Sequence, residues 1–242
     1  MFILSAGMPK SGSTLFSLYQ KSILERTLKN NGQKAFEQLI LDGKINGIGI
    51  FVHDLESPEI LKKLVDLSLE IGPFVVKSHL NLSNDLITCL KRKEILATYI
   101  HRDPRDVILS AIDHGNRAVD HPNANTFFRQ FASVQNSIPI VKDFCRAGID
   151  WIRSGLCETY SYQDLLTKPE SVMIRFNDFI HTKLDAAIFR ELIDTYSRNA
   201  IIGKKQFNTG KLLRFPDEMS PADVETCIRE MAEELKLLGY LP

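Results

Sequence analysis

The chain has 242 residues, of which 44% are hydrophobic and 25% are charged, as expected for a globular protein with a substantial buried core. Lys plus Arg and Asp plus Glu both number 30, so no excess of positive charge favours nucleic acid or an anionic membrane as a partner. Residues 1–6 are apolar but too short to cross a bilayer, and they lack a leader sequence's charged region. We therefore expect one domain over residues 1–242, no membrane span and a cytoplasmic location.

Short apolar runs rich in β-branched and aromatic residues alternate with longer segments of helical period. This alternation predicts an α/β fold, with a parallel β-sheet flanked by helices. The predicted strands are residues 1–6, 48–53, 74–77, 96–101 and 157–162.

Helical periods predict helices that begin at Ser13 and Pro58, and a third over residues 107–112 after a cap at Asp103. Two segments with Gly, Pro, Asn or basic residues, 113–126 and 203–219, are predicted to be irregular. In the first helix, one face is expected to cover the sheet, and it carries Leu15, Leu18, Tyr19 and Ile23.

The first predicted strand runs into a glycine-containing turn, which continues directly into a helix. The turn reads Gly7-Met8-Pro9-Lys10-Ser11-Gly12-Ser13-Thr14. In such a turn, backbone N–H groups and the positive end of the helix dipole point at one place, which favours a bound phosphate. The alternative is an ordinary surface turn marked by two glycines. A lysine, three hydroxyl residues and the strand–helix context together favour the phosphate site.

The lysine of this loop is not where a nucleoside triphosphatase has it. Those enzymes read G-x-x-x-x-G-K-[ST], with the lysine directly after the second glycine. Here Ser13 occupies that position, and the positive charge comes from Lys10, which precedes Gly12. No apolar run ends in an aspartate well placed to hold magnesium beside the phosphates. The four cysteines are widely spaced and have no histidine at metal-ligand spacing, so we expect no metal site.

The sequence Pro9-Lys10-Ser11-Gly12-Ser13-Thr14 resembles the P-K-S-G-[ST]-T loop of cytosolic-type sulfotransferases. The resemblance implies a P-loop NTPase-like fold with a sulfotransferase-type phosphate loop. It also implies that the loop residues Lys10, Ser11, Gly12, Ser13 and Thr14 bind 3′-phosphoadenosine 5′-phosphosulfate (PAPS), with the 3′,5′-bisphosphate PAP as product and no metal required.

A second similarity lies in the segment that runs from His101 to Ser110. Its Arg at a strand end and its Ser eight residues later resemble the family's second signature, which implies that Arg102 and Ser110 grip the 3′-phosphate. A guanidinium can bind phosphate through two hydrogen bonds, and a hydroxyl adds a directed donor. Taken alone, R-D-P-R-D-V also fits a helix cap with surface ion pairs.

A third similarity, Lys77-Ser78-His79-Leu80, is to the family's K-T-H-[LP] segment. It implies that His79 is the general base and that Lys77 helps to hold the transferring group. A single histidine after an apolar strand is more often structural. The strand end lies on the same side of an α/β sheet as the phosphate loop, however, and this favours the catalytic role.

Two further similarities are weaker. Tyr162-Gln163-Asp164-Leu165 resembles the Y-E-D-[LM] segment, which implies that Tyr162 contacts adenine, although a tyrosine there is also ordinary core. The basic segment 204–211 is the counterpart of the family's R-K-G-x-x-G-x-W loop but lacks its Trp and first Gly. Lys205 and Lys211 are thus 3′-phosphate contacts by resemblance, or part of a solvated basic loop.

These residues together predict an enzyme that transfers a sulfuryl group from PAPS to a hydroxyl or amine acceptor, which is a small molecule or carrier-bound. The alternatives are a P-loop nucleotide or small-molecule kinase, and a non-catalytic nucleotide-binding module. The acceptor is not identified by any motif. Three phenylalanines could line its pocket or belong to the core, namely Phe127, Phe128 and Phe131.

Overall fold

The apolar runs of the sequence form the strands of one mostly parallel sheet. The computed structural model describes residues 1–28, 31–119, 126–196 and 210–242. Within these residues the strands are β1 (Phe2–Gly7), β2 (Gly47–Ile48), β3 (Phe51–Val52), β4 (Val75–Ser78), β5 (Ile95–His101) and β6 (Cys157–Ser161). Their order across the sheet is β2-β3-β4-β1-β5-β6. Only β2 and β3 pair antiparallel, and the other neighbours are parallel. The predicted α/β fold is confirmed.

The single strand predicted at residues 48–53 is wrong, because this segment is a hairpin. Gly49 has a φ of 63°, a left-handed conformation that glycine adopts without strain, and the chain reverses there. The hairpin consists of β2 and β3, and Phe51 pairs with Lys77 of β4. It therefore extends the sheet beside the strand that leads to His79.

Helices cover the sheet as its parallel pairing requires, since both faces of a parallel sheet are buried. They are α1 (Ser13–Leu28), α2 (Gly32–Leu41), α3 (Pro58–Ile71), α4 (Asn84–Lys91), α5 (Pro104–Val119), α6 (Val134–Ser154), α7 (Tyr162–Thr167), α8 (Pro169–Phe179), α9 (Ala186–Thr195), α10 (Phe215–Glu218), α11 (Pro221–Glu230) and α12 (Ala232–Leu237), with a 3₁₀ helix at Thr126–Gln130. No helix of the described ranges is long and apolar enough to cross a bilayer.

The central strand β1 is buried along its whole length, and its side chains alternate between the two faces of the sheet. Phe2 and Leu4 pack into a core cluster with α2, α3 and α4, whereas Ile3 packs on the other face with α1, α8 and α9. A third cluster lies between α5, α6 and the carboxyl-terminal helices. These layers fix the carboxyl ends of β1, β4 and β5 side by side.

The loop predicted at residues 113–126 is wrong in its first half, because α5 continues to Val119. Gly115 is one of the residues that predict a loop here, but it lies inside α5, where close packing requires a residue without a side chain. A Cβ added at Gly115 would come within 2.3 Å of the carbonyl oxygen of Phe128. The glycine thus lets the 3₁₀ helix approach α5 closely, and residues 120–125 lie outside the described part of the chain.

The irregular segment predicted at residues 203–219 contains a short helix, α10, where the structure describes it. The carboxylate of Asp106 accepts hydrogen bonds from the backbone N–H groups of Arg214 and Phe215, which satisfies two of the free donors at the start of α10. A side chain distant in sequence therefore starts this helix.

Candidate active site

The turn between β1 and α1 contains two left-handed residues and is fastened to the neighbouring strand β5. Lys10 and Gly12 have φ angles of 66° and 82°, both in the left-handed region. The Ser11 hydroxyl lies under the loop, 2.6 Å from the carbonyl oxygen of Met8 and 3.1 Å from that of Ile100. Since Met8 also donates its N–H to Ile100, the loop is fastened to β5. The side chain of Ser11 therefore faces the protein interior.

Two features favour glycine at position 12, namely its left-handed backbone conformation and the close approach of the Tyr162 ring. A Cβ at this position would lie 2.6 Å from the ring of Tyr162, which packs directly against the loop. Such a separation is far below van der Waals contact. The loop and Tyr162, the first residue of α7, are therefore fitted to each other.

Gly12→Ala is expected to cost about 1–3 kcal/mol more stability than Gly43→Ala, because overpacking is added to backbone strain. Gly43 is the matched control, with a φ of 70° and no atom within 4 Å of an added Cβ. Urea unfolding of the two variants measures the difference. Equal losses of stability would show that the Tyr162 ring gives way without cost.

Two lysines with unusually low pKa values lie at the carboxyl end of the sheet. Burial is the main cause that lowers the pKa of Lys10 to about 8, and the positive charges of Arg117, Lys77 and Arg102 lower it further. Burial also lowers the pKa of Lys77 to about 8. Lys77 Nζ donates to Thr14 Oγ1 over 2.7 Å, which ties β4 to the start of α1. Both lysines remain mostly protonated at neutral pH, and a bound anion would stabilise that charge.

His79 follows β4 and presents one ring nitrogen to the cleft. Its Nδ1 lies 2.7 Å from the carbonyl oxygen of Gly7, which can only accept, so Nδ1 carries the proton and Nε2 has a free lone pair. The ring is open to the solvent of the cleft but has dense protein around it. That desolvation, followed by the charge of Lys77, lowers its pKa to about 4, and Lys10 adds to the shift. At neutral pH His79 is therefore a neutral base.

Arg102 lies between β5 and α5, as predicted, and its guanidinium is buried. One face stacks on Tyr162, with 4.3 Å from Cζ to the ring centroid. Nη2 donates to Asp106 Oδ2 and to the carbonyl oxygen of Lys211, each over 3.0 Å. Nε is buried without a partner among the described residues. The predicted cap at Asp103 is confirmed, since its Oδ1 accepts the N–H of Arg105 over 3.0 Å.

A cleft of about 920 Å³ brings nearly all the predicted site residues together. Those that line it are Lys10, Gly12, Ser13, Thr14, Lys77, His79, Arg102, Ser110 and Tyr162. Ser11 is turned inward, and the exposed Lys211 meets Arg102 through its backbone carbonyl. Lys205 lies outside the described residues. Within the described ranges, no three His, Cys, Asp or Glu side chains cluster as metal ligands do.

Sequence reasoning missed several residues that also line the cleft. Leu15 and Leu18 face it instead of covering the sheet, because Phe16 takes the buried position between α1 and Tyr160. Phe51, His114 and Arg214 are among the others. Phe51 was hidden in the hairpin that was predicted as one strand.

His114 was missed because α5 was predicted to end before it. Helical spacing places His114 one turn beyond Ser110 on the same face, so a longer helix would have revealed it. Its ring contacts Phe128 edge to face, with centroids 4.6 Å apart, and Lys10 Nζ lies 5.4 Å from the same Phe128 ring. Burial, with the charges of Lys10 and Arg117, lowers the pKa of His114 to about 4. The cleft thus contains a second neutral imidazole.

The three phenylalanines left open by the sequence have different surroundings. Phe128 lines the cleft, and Phe131 is buried in the core between α5 and α6. Phe127 is 38% exposed and contacts both of the other rings. Of the three, only Phe128 lines the cleft.

Comparison with known proteins gives a family and a fold. A family model described as "Sulfotransferase domain" matches residues 2–230. A search of curated protein sequences gives no match. Among solved structures, retinol dehydratase in complex with androsterone and inactive cofactor PAP has a TM-score of 0.63 at 15% identity, and the match covers 97% of this chain and 80% of that one. A mouse sulfotransferase complexed with PAP has a TM-score of 0.63 at 15% identity, covering 99% and 89%. With its family model matched over almost the whole chain, this protein belongs to the sulfotransferase domain family.

Proposed function

We propose that this protein transfers the sulfuryl group of PAPS to a hydroxyl or amine acceptor, with His79 as the general base. The observation that carries the proposal is the neutral imidazole of His79, whose free Nε2 shares one cleft with Lys10 and Lys77. A base beside two cations fits a reaction in which an acceptor loses a proton and a phosphate gains charge.

In the proposed reaction, the acceptor oxygen attacks sulfur while Nε2 of His79 takes its proton. The bond between sulfur and the 5′-phosphate oxygen breaks, and PAP leaves with an additional negative charge. Lys10, Lys77 and the N–H groups of the loop stabilise that charge, and positioning in line supplies most of the remaining catalysis. Burial is the main cause of the depressed pKa of each lysine, and a bound phosphate would stabilise the charged form of both.

The other end of the nucleotide is proposed to lie against α5. Arg102 and Ser110 are proposed to hold the 3′-phosphate, because both line the cleft and a guanidinium and a hydroxyl are suitable donors to a phosphate. The backbone of Lys211 lies beside Arg102, which supports a role for Lys211, and Lys205 is proposed by family resemblance alone. Tyr162 is proposed to contact adenine, because it lines the cleft beside Arg102.

Ser11 is proposed to support the loop from the side that faces the protein interior. Its hydroxyl bonds two carbonyl oxygens and does not reach the cleft, so its contribution is to hold the N–H groups of the loop in place. Ser13 and Thr14 line the cleft and are proposed to contact the 5′-phosphate directly.

The acceptor is proposed to be a small or carrier-bound molecule with an apolar body. Phe51 lies 5.8 Å from the His79 ring, and Phe128 lies on the Lys10 side of the cleft. Retinol dehydratase, which shares the fold, was crystallised with the apolar compound androsterone. One apolar ring beside His79 and another beside Lys10 favour an acceptor of similar character.

Isothermal titration tests the nucleotide assignment against a kinase. PAP is expected to bind without metal, with chelator present, at least about tenfold more tightly than ATP with Mg²⁺, because charge-assisted hydrogen bonds to a 3′-phosphate are each worth about 1.5–3 kcal/mol. Tighter binding of ATP with Mg²⁺ than of PAP would reject the proposal. Binding of PAP without turnover of PAPS on any hydroxyl or amine acceptor would instead indicate a binding module.

A further inference from the structure

Asp106, in the first turn of α5, uses both of its carboxylate oxygens to join parts of the chain that are distant in sequence. Oδ2 accepts from Nη2 of Arg102 over 3.0 Å. Oδ1 accepts from the backbone N–H of Arg214 over 2.8 Å and from that of Phe215 over 3.1 Å. The side chain is 3% exposed. One buried carboxylate therefore fixes the strand-end arginine and the start of α10 together.

The same arginine holds the segment 210–215 from its other side. Arg102 Nη2 donates to the carbonyl oxygen of Lys211, so this segment is attached to the pair at two places. With one face on Tyr162 and Nη2 occupied, the guanidinium cannot rotate freely. Its remaining donors are Nε, which has no partner in the described part of the chain, and Nη1, whose contact with the carbonyl oxygen of Lys10 is 3.5 Å long. The arginine is thus oriented before any nucleotide arrives.

We propose that Asp106 is a positioning residue for recognition of the 3′-phosphate, and that it acts by orienting Arg102 and by holding residues 210–215 beside it. This inference rests on the proposed function. A preorganised guanidinium binds an anion more tightly than a free one, because no further ordering of the side chain is required on binding. Asp106 itself carries a negative charge and does not touch the phosphate.

Charge alone makes the opposite prediction. Removing a negative charge beside an anion site increases the local positive potential, which would strengthen the binding of a phosphate. Positioning predicts weaker binding, since Arg102 loses the partner that orients it. The sign of the effect therefore separates the two explanations.

The first turn of α5 supplies a matched control in a second buried ion pair. Asp103 Oδ2 lies 2.7 Å from Arg105 Nη2, and both side chains are as buried as Asp106 and Arg102. Arg105 also donates to the carbonyl oxygen of Tyr240 and stacks on Phe215. Neither Asp103 nor Arg105 is among the residues that line the cleft. Asp103→Asn therefore breaks a comparable pair with little effect on the cleft.

The experiment measures the preference for PAP over adenosine 5′-phosphate, which lacks the 3′-phosphate, by isothermal titration. In Asp106→Asn, the preference is expected to fall by about 10–100-fold, the range found for residues that support a ligand-binding group from behind. The affinity of Asp106→Asn for adenosine 5′-phosphate is expected to equal that of the wild type. Asp103→Asn is expected to keep the full wild-type preference for PAP. If Asp106→Asn fails to fold, Asp106→Glu keeps the charge, displaces it by one methylene group and is expected to reduce the preference too.

A preference for PAP that is retained or increased in both Asp106 variants would overturn the inference and leave the proposed function intact. Equal loss in Asp103→Asn would also overturn it, since the effect would then be general destabilisation. A wild-type protein with no preference for PAP would overturn the proposed function itself, and with it this inference.

Discussion

His79→Ala is expected to lower kcat by about 10²–10⁴-fold, the range for loss of a general base, while leaving the affinity for PAP nearly unchanged. The imidazole donates from Nδ1 to the carbonyl oxygen of Gly7, and its proposed function depends on the free Nε2. Removing the ring would take away the proposed base and leave the loop cations. Turnover is measured as release of PAP from PAPS with an acceptor that the wild-type protein uses, and binding is measured by titration with PAP.

A second histidine controls for packing around the base. His53 contacts the same Phe51 ring as His79, with centroids 5.2 Å apart, but follows the β2–β3 hairpin and not β4. His53→Ala is expected to change kcat by far less than His79→Ala. Wild-type kcat in purified His79→Ala protein would reject His79 as the base, and His114 would then be the next histidine of the cleft to replace.

Lys10→Ala is expected to damage both binding and turnover, in contrast to His79→Ala. The affinity for PAP is expected to fall by about 10–100-fold, since a charge-assisted hydrogen bond to a phosphate is worth about 1.5–3 kcal/mol. The value of kcat is expected to fall as well, because charge builds up on the departing phosphate oxygen. Titration with PAP and PAPS turnover measure the two effects separately.

Two variants separate charge from loop shape in this experiment. Lys10→Gly permits the φ of 66° without strain, so it removes the charge while favouring the conformation of the loop. Lys21→Ala removes another cation that lines the cleft, one already paired with Glu37 over 2.6 Å, and is expected to have a small effect. If Lys10→Gly bound PAP as tightly as the wild type, the loop lysine could not be the principal phosphate contact.

The part of the site that could be predicted from sequence is the part built from local rules. A strand, a turn with Lys10 and Gly12 and a helix follow one another without interruption, so the phosphate loop could be read directly. Arg102 could be placed because the strand end and the following Asp103-Pro104 are both local signals. The low pKa of His79 could not be predicted from sequence, since its main cause is burial by tertiary packing. The free Nε2 could not be predicted either, since it depends on the carbonyl oxygen of Gly7 in another strand.

The parts that were mispredicted depend on contacts between distant segments. Nothing near Gly115 in sequence reveals that the carbonyl of Phe128 packs against it. The end of α5 was therefore predicted too early, and His114 was not predicted to line the cleft. Arg214 was hidden in a basic segment, and its burial depends on the carboxylates of Asp113 and Glu218. Propensity marks such a glycine as a loop residue, and tertiary packing reverses that expectation.

The attachment of the phosphate loop to Ile100 also has a consequence for the order of folding. Ser11 and Ile100 are 89 residues apart, and β1 finds both of its neighbours, β4 and β5, much later in the chain. Contacts of such long range close large loops and form slowly. The turn between β1 and α1 is therefore expected to be a late product of folding and not an early local structure. The proposed nucleotide would then stabilise the completed sheet, but it would have no preformed turn to bind while the chain is still emerging from the ribosome.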